Sequence, residues 1–421
     1  MSKKSILFLF VFCNYYNPGS IYLTLFINIL LILAISFDNG KKIIRFNSYI
    51  VVCTLLILIW AMFIMAVRSN INTYVLGKYL RVTASTLSIM IICSGLRISA
   101  KQLIDTLAMI FIIHILAIGM QSVFPQLDIP MANFFGFDRE STVISDFSIR
   151  NLGLSSSYDT AALICLSSML FFFLQYLVKK RNIYILLSLV SLLSCIRTSR
   201  TGMILGILFF AVFCIVLFFS LKGVKRLVPI LFLSSAIILA IYFVIPIIAS
   251  STELLSEAIS SNSDFSLNYT TGSVEALTNA HLDPLKAPIF DLIFGFGIDP
   301  NKIIGKGTDI GYVKLIYHVG IIGLVLIVLL YLYIFRKTVI IKKRSDKQSN
   351  EFILSSFLVL FILLVTVMNY KSLEMYSRGS HDLILIIFCV LIKQYHSRRV
   401  TLSNGPTYLE NDKLFLNPNL T

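Results

Sequence analysis

Charge is scarce in this sequence. Only 14% of its 421 residues are Asp, Glu, Lys or Arg, where an ordinary soluble protein carries roughly a quarter. With 57% of its residues apolar, the chain is poorly suited to a surface bathed in water. Acid is scarcer still, with 21 Asp and Glu against 36 Lys and Arg, a formal charge of +15. There is no HExxH, no P-loop and no DxD-like acid pair at an expected membrane surface. Zinc chemistry and energy from cytoplasmic nucleotide therefore find no support, and no metal or cofactor is expected. The seven cysteines (Cys13, Cys53, Cys93, Cys165, Cys195, Cys214 and Cys389) include no CxxC and fall in or at the ends of apolar runs. That placement suits buried thiols rather than disulfides or metal ligands. No small-residue cleavage site follows the first apolar run, which argues against a cleavable signal peptide. Internal repeats and low-complexity tracts are also missing.

What is present is apolar sequence in long runs. Spans are expected at residues 48–67, 74–95, 103–123, 158–178, 183–197, 202–220, 227–249, 309–335, 352–368 and 381–395. The stretch RKTVIIKKRSDKQSNE, between 335 and 352, carries six basic residues and is cytoplasmic under the positive-inside rule. Alternation then places loops 38–47, 96–102, 179–182 and 221–226 and the tail on the same side, and every one of them is basic. The bulk of the +15 charge is thus explained by topology, and no nucleic-acid partner is expected. Residues 5–37 are apolar but interrupted by NYYNPGS, giving one span or two. The Pro-Gly pair and the basic Lys3 and Lys4 favour two. The fold class is all-α: a polytopic membrane protein of about 11–12 transmembrane helices, one integral membrane domain over residues 1–421.

Two longer segments face outward, residues 125–158 and 250–308. The second is too long for an ordinary connection and is expected to be functional. It holds seven acids (Glu253, Glu257, Asp264, Glu275, Asp283, Asp291 and Asp299) against Lys286, Lys302 and Lys306.

The outward side also carries cations where the positive-inside rule disfavours them. In SCIRTSRTGMIL, Arg197 and Arg200 occupy a tight turn between two apolar runs with no acid beside them in sequence. One reading has an arginine snorkelling to lipid headgroups. The other is anion binding, because the guanidinium is a permanent charge with a planar fork matched to phosphate. Arg150 ends the first outward segment, and Arg378 lies in YSRGSHD. Lys78 and Arg81 stand three apart on one helical face near the outer end of their span. These groups come from separate hairpins and could line one outward-facing basic pocket.

Residues 291–324 read DLIFGFGIDPNKIIGKGTDIGYVKLIYHVGIIGL. The GFG glycines suit a tight turn or a close backbone approach. Gly311, Lys314 and His318 share one helical face, so a polar stripe enters the membrane from outside. Tyr312 and Lys314 fit interfacial anchors as well as substrate contacts, and His318 fits an internally hydrogen-bonded helix residue as well as a ligand. Asp309 is either a helix cap or a functional acid. His281 lies in the large loop, while His114, alone in mid-span, fits a packing role.

Three stretches resemble a known family: TSRTG at 198–202, RNLGLSSS at 150–157, and FGFG followed by TDIGYVKLIYHVGIIGL. Together with the large outward loop before the last spans, they are similar to the bacterial O-antigen or repeat-unit polymerases (Wzy-type) and the related O-antigen ligases. The likeness in topology covers most of the chain, while the motifs are short. It implies metal-independent glycosyl transfer on the outer face of the bacterial cytoplasmic membrane. The donor would be a glycan on undecaprenyl diphosphate and the acceptor a lipid-linked repeat unit. Membrane lipids, a flippase and a chain-length regulator are the implied partners. The arginines would hold the diphosphate, and a base would take the acceptor's proton. Ligases have a His before the span carrying the glycine pair. Counting back from Gly320 and Gly323, Asp309 stands there in this chain, which favours polymerase over ligase and leaves the base open between Asp309 and His281.

Overall fold

Apolar runs of this length must satisfy every backbone polar group internally, and helices do so. The computed structural model of the chain describes residues 3–16, 21–39, 47–68, 72–96, 98–127, 130–131, 134–135, 151–155, 157–220, 287–300, 310–370, 372–377 and 379–403. Among them no strand occurs. The helices are α1 (Lys3–Tyr16), α2 (Ile21–Asn39), α3 (Ser48–Val67), α4 (Thr73–Gly95), α5 (Ala100–Val123) and α6 (Tyr158–Lys179). They continue with α7 (Asn182–Ile196), α8 (Arg200–Ser220), the short α9 (Ile289–Phe294), α10 (Gly311–Arg344), α11 (Asn350–Met368) and α12 (Ser380–Ser403). Six of these (α3, α4, α5, α6, α10 and α11) are long and apolar enough to cross a membrane. The chain is thus a multi-pass membrane protein. The expected span 227–249 and most of the expected outward loop 250–308 lie outside the described residues.

The N-terminal run does form two helices. Asn14 and Asn28 clasp them by exchanging side-chain amide hydrogen bonds of 3.0 and 2.9 Å, and Thr24 donates to the carbonyl of Cys13 at 3.1 Å. These bonds satisfy polar groups that apolar surroundings would otherwise penalise. α6 is the most enclosed helix, packed by α5, α7, α8 and α11. Elsewhere large apolar side chains such as Ile59, Leu116, Ile204, Leu208, Val325 and Leu332 remain exposed, as lipid-facing surface requires. Six of the seven cysteines are buried and all are free thiols, as the sequence suggested.

Among the described residues, the basic ends of α10 and α12 meet the end of α4 and the start of α11. There Lys393 of α12 donates to three carbonyls at the end of α4, those of Cys93, Ser94 and Leu96, at 3.2, 2.8 and 3.0 Å. Arg398 pairs with Glu351 at 2.9 Å. One expectation changes here. Residues 336–344 are not loop but the last turns of α10, because Thr338 and Ile341 continue its buried face. The connection shrinks to residues 345–349, where Ser349 caps α11 by accepting from the amide of Phe352.

α10 is broken once. Gly320 has φ 68° and ψ −179°, a backbone region essentially restricted to glycine. Residues 293–297 pack backbone to backbone against the break: a Cβ on Gly320 would lie 2.3 Å from the carbonyl oxygen of Ile293, and one on Gly295 2.4 Å from the nitrogen of Gly320. The amides of Phe296 and Gly297 donate to the carbonyl of Tyr317 at 2.9 and 3.1 Å. The indole of Trp60 donates to the carbonyl of Val319 at 2.8 Å. The close approach expected of the GFG glycines is therefore made against another helix. Arg68, capping α3, holds this strap through the carboxylate of Asp291 and the carbonyl of Gly295.

Candidate functional site

The end opposite the basic loops carries polar residues deep in the bundle. Lys78 and Arg81 project from the first turns of α4, and Lys314 and His318 from the segment of α10 before its break. Lys78 lies within electrostatic range of Asp299, Lys314, Arg81 and Glu374, and His318 within range of Lys78 and Lys314. The ring of Tyr79 meets that of His318 edge-on at 6.3 Å and tilts against that of Tyr376 at 5.8 Å. Four cation-bearing or ionisable residues picked out in the sequence thus come together on two helices that are not consecutive.

Their hydrogen bonding is incomplete. Among the described residues the ammonium of Lys78, which is buried, has no hydrogen-bond partner, and both ring nitrogens of His318, 1% exposed, are in the same state. The internally bonded histidine that the sequence allowed is therefore not what forms. Arg81 donates from Nε to the carbonyl of Gly77 at 2.7 Å. Tyr312 turns the other way, its hydroxyl donating to the carbonyl of Thr366 on α11 at 2.7 Å, which makes it an anchor for the first segment of α10.

The loop between α11 and α12 closes the cluster, and sequence reasoning passed over its central residue. Glu374 is buried, and its carboxylate accepts from Thr160, Ser372 and Ser380 at 3.0, 3.2 and 3.1 Å. Burial raises its pKa, while these three hydroxyls pull it back down. Asn369 fixes the loop by accepting from the amides of Glu374 and Met375 at 3.0 and 2.8 Å. The signal available in the sequence was an acid in a short connection between two strongly apolar spans.

Below it lies a fully satisfied network. The amide of Tyr376 donates to the hydroxyl of Tyr331 at 3.0 Å, leaving that hydroxyl's own proton for Nδ1 of His381 at 3.1 Å. His381 then carries its proton on Nε2, facing the Thr86 hydroxyl at 3.2 Å, which in turn donates to the carbonyl of Val82 at 2.8 Å. Every donor has an acceptor, so this histidine reads as a structural tie between α4, α10 and α12.

Arg197 stands elsewhere, exposed at the C-terminal end of α7. Its carbonyl accepts from the amide of Asn151 at 2.8 Å, so the two motifs TSRTG and RNLGLSSS adjoin. The second is fastened to α5. Gln121 accepts from the amide of Gly153 at 2.7 Å, and Nδ1 of His114 accepts from the amide of Leu154 at 3.2 Å. His114 also stacks on Tyr16 at 5.5 Å, which bears out the packing role expected of it. α7 and α8 pack on α6, whereas α4 and α10 pack among α2, α3, α9, α11 and α12. Arg200 opens α8, but its side chain, together with Arg150, His281, Asp309 and Arg378, lies outside the described residues. Among the described residues no group of His, Cys, Asp and Glu could hold a metal ion.

No protein-family model matches this chain, and no curated protein matches it.

Proposed function

We propose that this chain is a glycosyltransferase of the bacterial cytoplasmic membrane that polymerises undecaprenyl-diphosphate-linked repeat units into an O-antigen or capsule-like polysaccharide on the outer face. The acceptor's sugar hydroxyl oxygen attacks the anomeric carbon of the donor glycan. The bond from that carbon to the diphosphate breaks, and undecaprenyl diphosphate leaves with the negative charge. Arg150, Arg197 and Arg200 hold the diphosphate, with Arg378 and the α4–α10 cluster also on the substrate-binding side. Asp309 or His281 takes the hydroxyl proton.

One observation carries this reading. Among the described residues, cations stand at the end of the bundle opposite the basic loops, both on the exposed turn at Arg197 and inside the bundle at Lys78, where the positive-inside rule disfavours them. A charged diphosphate leaving group at the outer surface accounts for both placements, because fixed cations in a water-poor site stabilise charge as it develops.

The broken helix favours a second reading, a lipid-linked oligosaccharide flippase, since discontinuous helices mark many transporter sites. Against it, two of the carbonyls at the break, those of Tyr317 and Val319, are already taken by the strap and by Trp60. The two readings, and that of a ligase, separate on glycan length in a strain lacking the chain. Loss of polymerase leaves single repeats on the surface, loss of a flippase leaves none, and loss of a ligase leaves long chains on the lipid carrier. Unchanged surface glycan would overturn all three.

A further inference from the structure

We infer that Lys78, His318 and Lys314 form an anion site of their own, built for a phosphate group and separate from the arginine turn at residues 197–200. The argument begins with what these groups lack. A buried ammonium offers three donors, and Lys78 uses none of them. A neutral imidazole offers one donor and one acceptor, and His318 uses neither. Buried polar groups in native proteins are overwhelmingly paired, and an unpaired buried cation is among the most costly things a fold can keep. Two such groups, on helices that meet at the rings of Tyr79 and His318, with Lys314 one turn from His318, are therefore the lining of a site whose partner is an anion.

Charge points the same way. Lys78, Arg81 and Lys314 are three cations, and Asp299 and Glu374 two carboxylates, all within electrostatic range of Lys78. Glu374 is already committed to three hydroxyls. Asp299 offsets part of the charge without bonding to the Lys78 ammonium. Among the described residues the remaining excess is positive, and its donors come from two helices. A tetrahedral group with several acceptor oxygens uses that arrangement fully, and lysine serves phosphate as a point charge.

The source is either a free phosphate compound or a lipid headgroup. The proposed glycosyl transfer brings two lipid-linked diphosphates to one membrane face, and on that reading this site takes one of them and the arginine turn the other. Only the identity of the carrier rests on that reading; the anion site rests on the unpartnered groups.

The test uses the full chain, purified in detergent and in nanodiscs, titrated with inorganic diphosphate and with undecaprenyl diphosphate. Melting temperature and affinity are read for wild type, Lys78→Met and His318→Gln. In anion-free buffer Lys78→Met is expected to melt at or above wild type, because a buried charge only partly offset by Asp299 has been replaced by an apolar chain of similar volume. With ligand, Lys78→Met loses at least tenfold in affinity and His318→Gln several-fold. Equal binding of both probes identifies a site that reads the phosphate group alone, and binding of the lipid-linked probe only identifies a headgroup site; both outcomes support the proposal. It is overturned if neither probe binds, if affinity is the same in Lys78→Met, or if that variant melts well below wild type without anion. Binding that persists while deletion of the chain leaves surface glycan unchanged would overturn the glycosyl-transfer reading and leave the anion site standing.

Discussion

Replacing Gly320 with alanine tests whether the strap at 293–297 and the break in α10 depend on each other. The backbone at φ 68° and ψ −179° is one that a side chain adopts only under strain, on the order of 1–3 kcal/mol. The new Cβ would also sit 2.3 Å from the oxygen of Ile293 and 2.4 Å from the carbonyl carbon of Phe294. Both neighbours are backbone, so no side chain can swing aside and the strap itself must lift. Lifting it gives up the two amide bonds to the carbonyl of Tyr317, at about 1 kcal/mol each. The amide bonds resist lifting, so the strain alone sets the shift: about 1–3 kcal/mol against the docked strap, roughly five- to a hundredfold in its docked population. Hydrogen exchange measured by mass spectrometry on peptides covering residues 289–300 reads that population directly. Exchange at Phe296 and Gly297 should quicken by about that factor. Gly119→Ala, where a Cβ meets nothing within 4 Å, should leave it unchanged. Exchange in Gly320→Ala that matches wild type would refute the coupling.

Three further outcomes are expected. Burial holds the folded pKa of Glu374 above its unfolded value, so its ionised form costs stability, and wild type gains stability as pH falls from that raised value towards the ordinary carboxylate range. Glu374→Gln should lose that segment of the melting-versus-pH curve and melt at or above wild type at neutral pH; a Gln variant that melts far lower there would show the charge to be stabilising. Arg200→Ala and Arg150→Ala should each abolish polymer while the protein inserts at normal levels, and Arg200→Lys should recover part of it, since an ammonium restores charge but not the bidentate fork; normal-length polymer from Arg200→Ala would leave snorkelling as that residue's role. Asp309→Asn and His281→Ala separate the two candidate bases by turnover of lipid-linked repeat units, and full turnover in either variant removes that residue from the role.

Hydropathy was enough to place the described spans, because lipid imposes a length. α3 was placed to the residue, and α4, α7 and α11 within two residues at either end. Where the reading fell short, the cause is tertiary. α10 runs through KKR because Ile341 still has α10's buried face to continue, which a charge count does not register. Its break at Gly320 is set by residues more than twenty positions earlier in the chain, and no local pattern announces them. At the site, residue type and position along a span were enough to single out Lys78, Arg81, Lys314 and His318. Their convergence was not legible, because it depends on how α4 meets α10. Glu374 was missed for a related reason: a lone acid in a short loop looks solvated until the loop is seen folded against Thr160 and Ser380.

The break and the basic cluster belong to one design. If α10 ran straight through Gly320, the direction of residues 311–319 would be set by the long apolar remainder of the helix. The break frees that first segment, and other contacts then position it. The strap amides hold the carbonyl of Tyr317, and the hydroxyl of Tyr312 holds α11. Gly311 lies so close to the backbone of the α11–α12 loop that a Cβ would be 2.6 Å from the oxygen of Ser372. Those contacts decide which way Lys314 and His318 face. They also decide the sign of the site. An interrupted membrane helix normally exposes carbonyl oxygens, which favour a cation. Here those of Tyr317 and Val319 are occupied by the strap and by Trp60, while the ammonium of Lys78 and the ring of His318 are among the groups without partners in the described residues. A break sealed in this way leaves a surface that selects an anion, and loosening the seal at Gly320 or Trp60 should weaken anion binding without touching any residue that bears the charge.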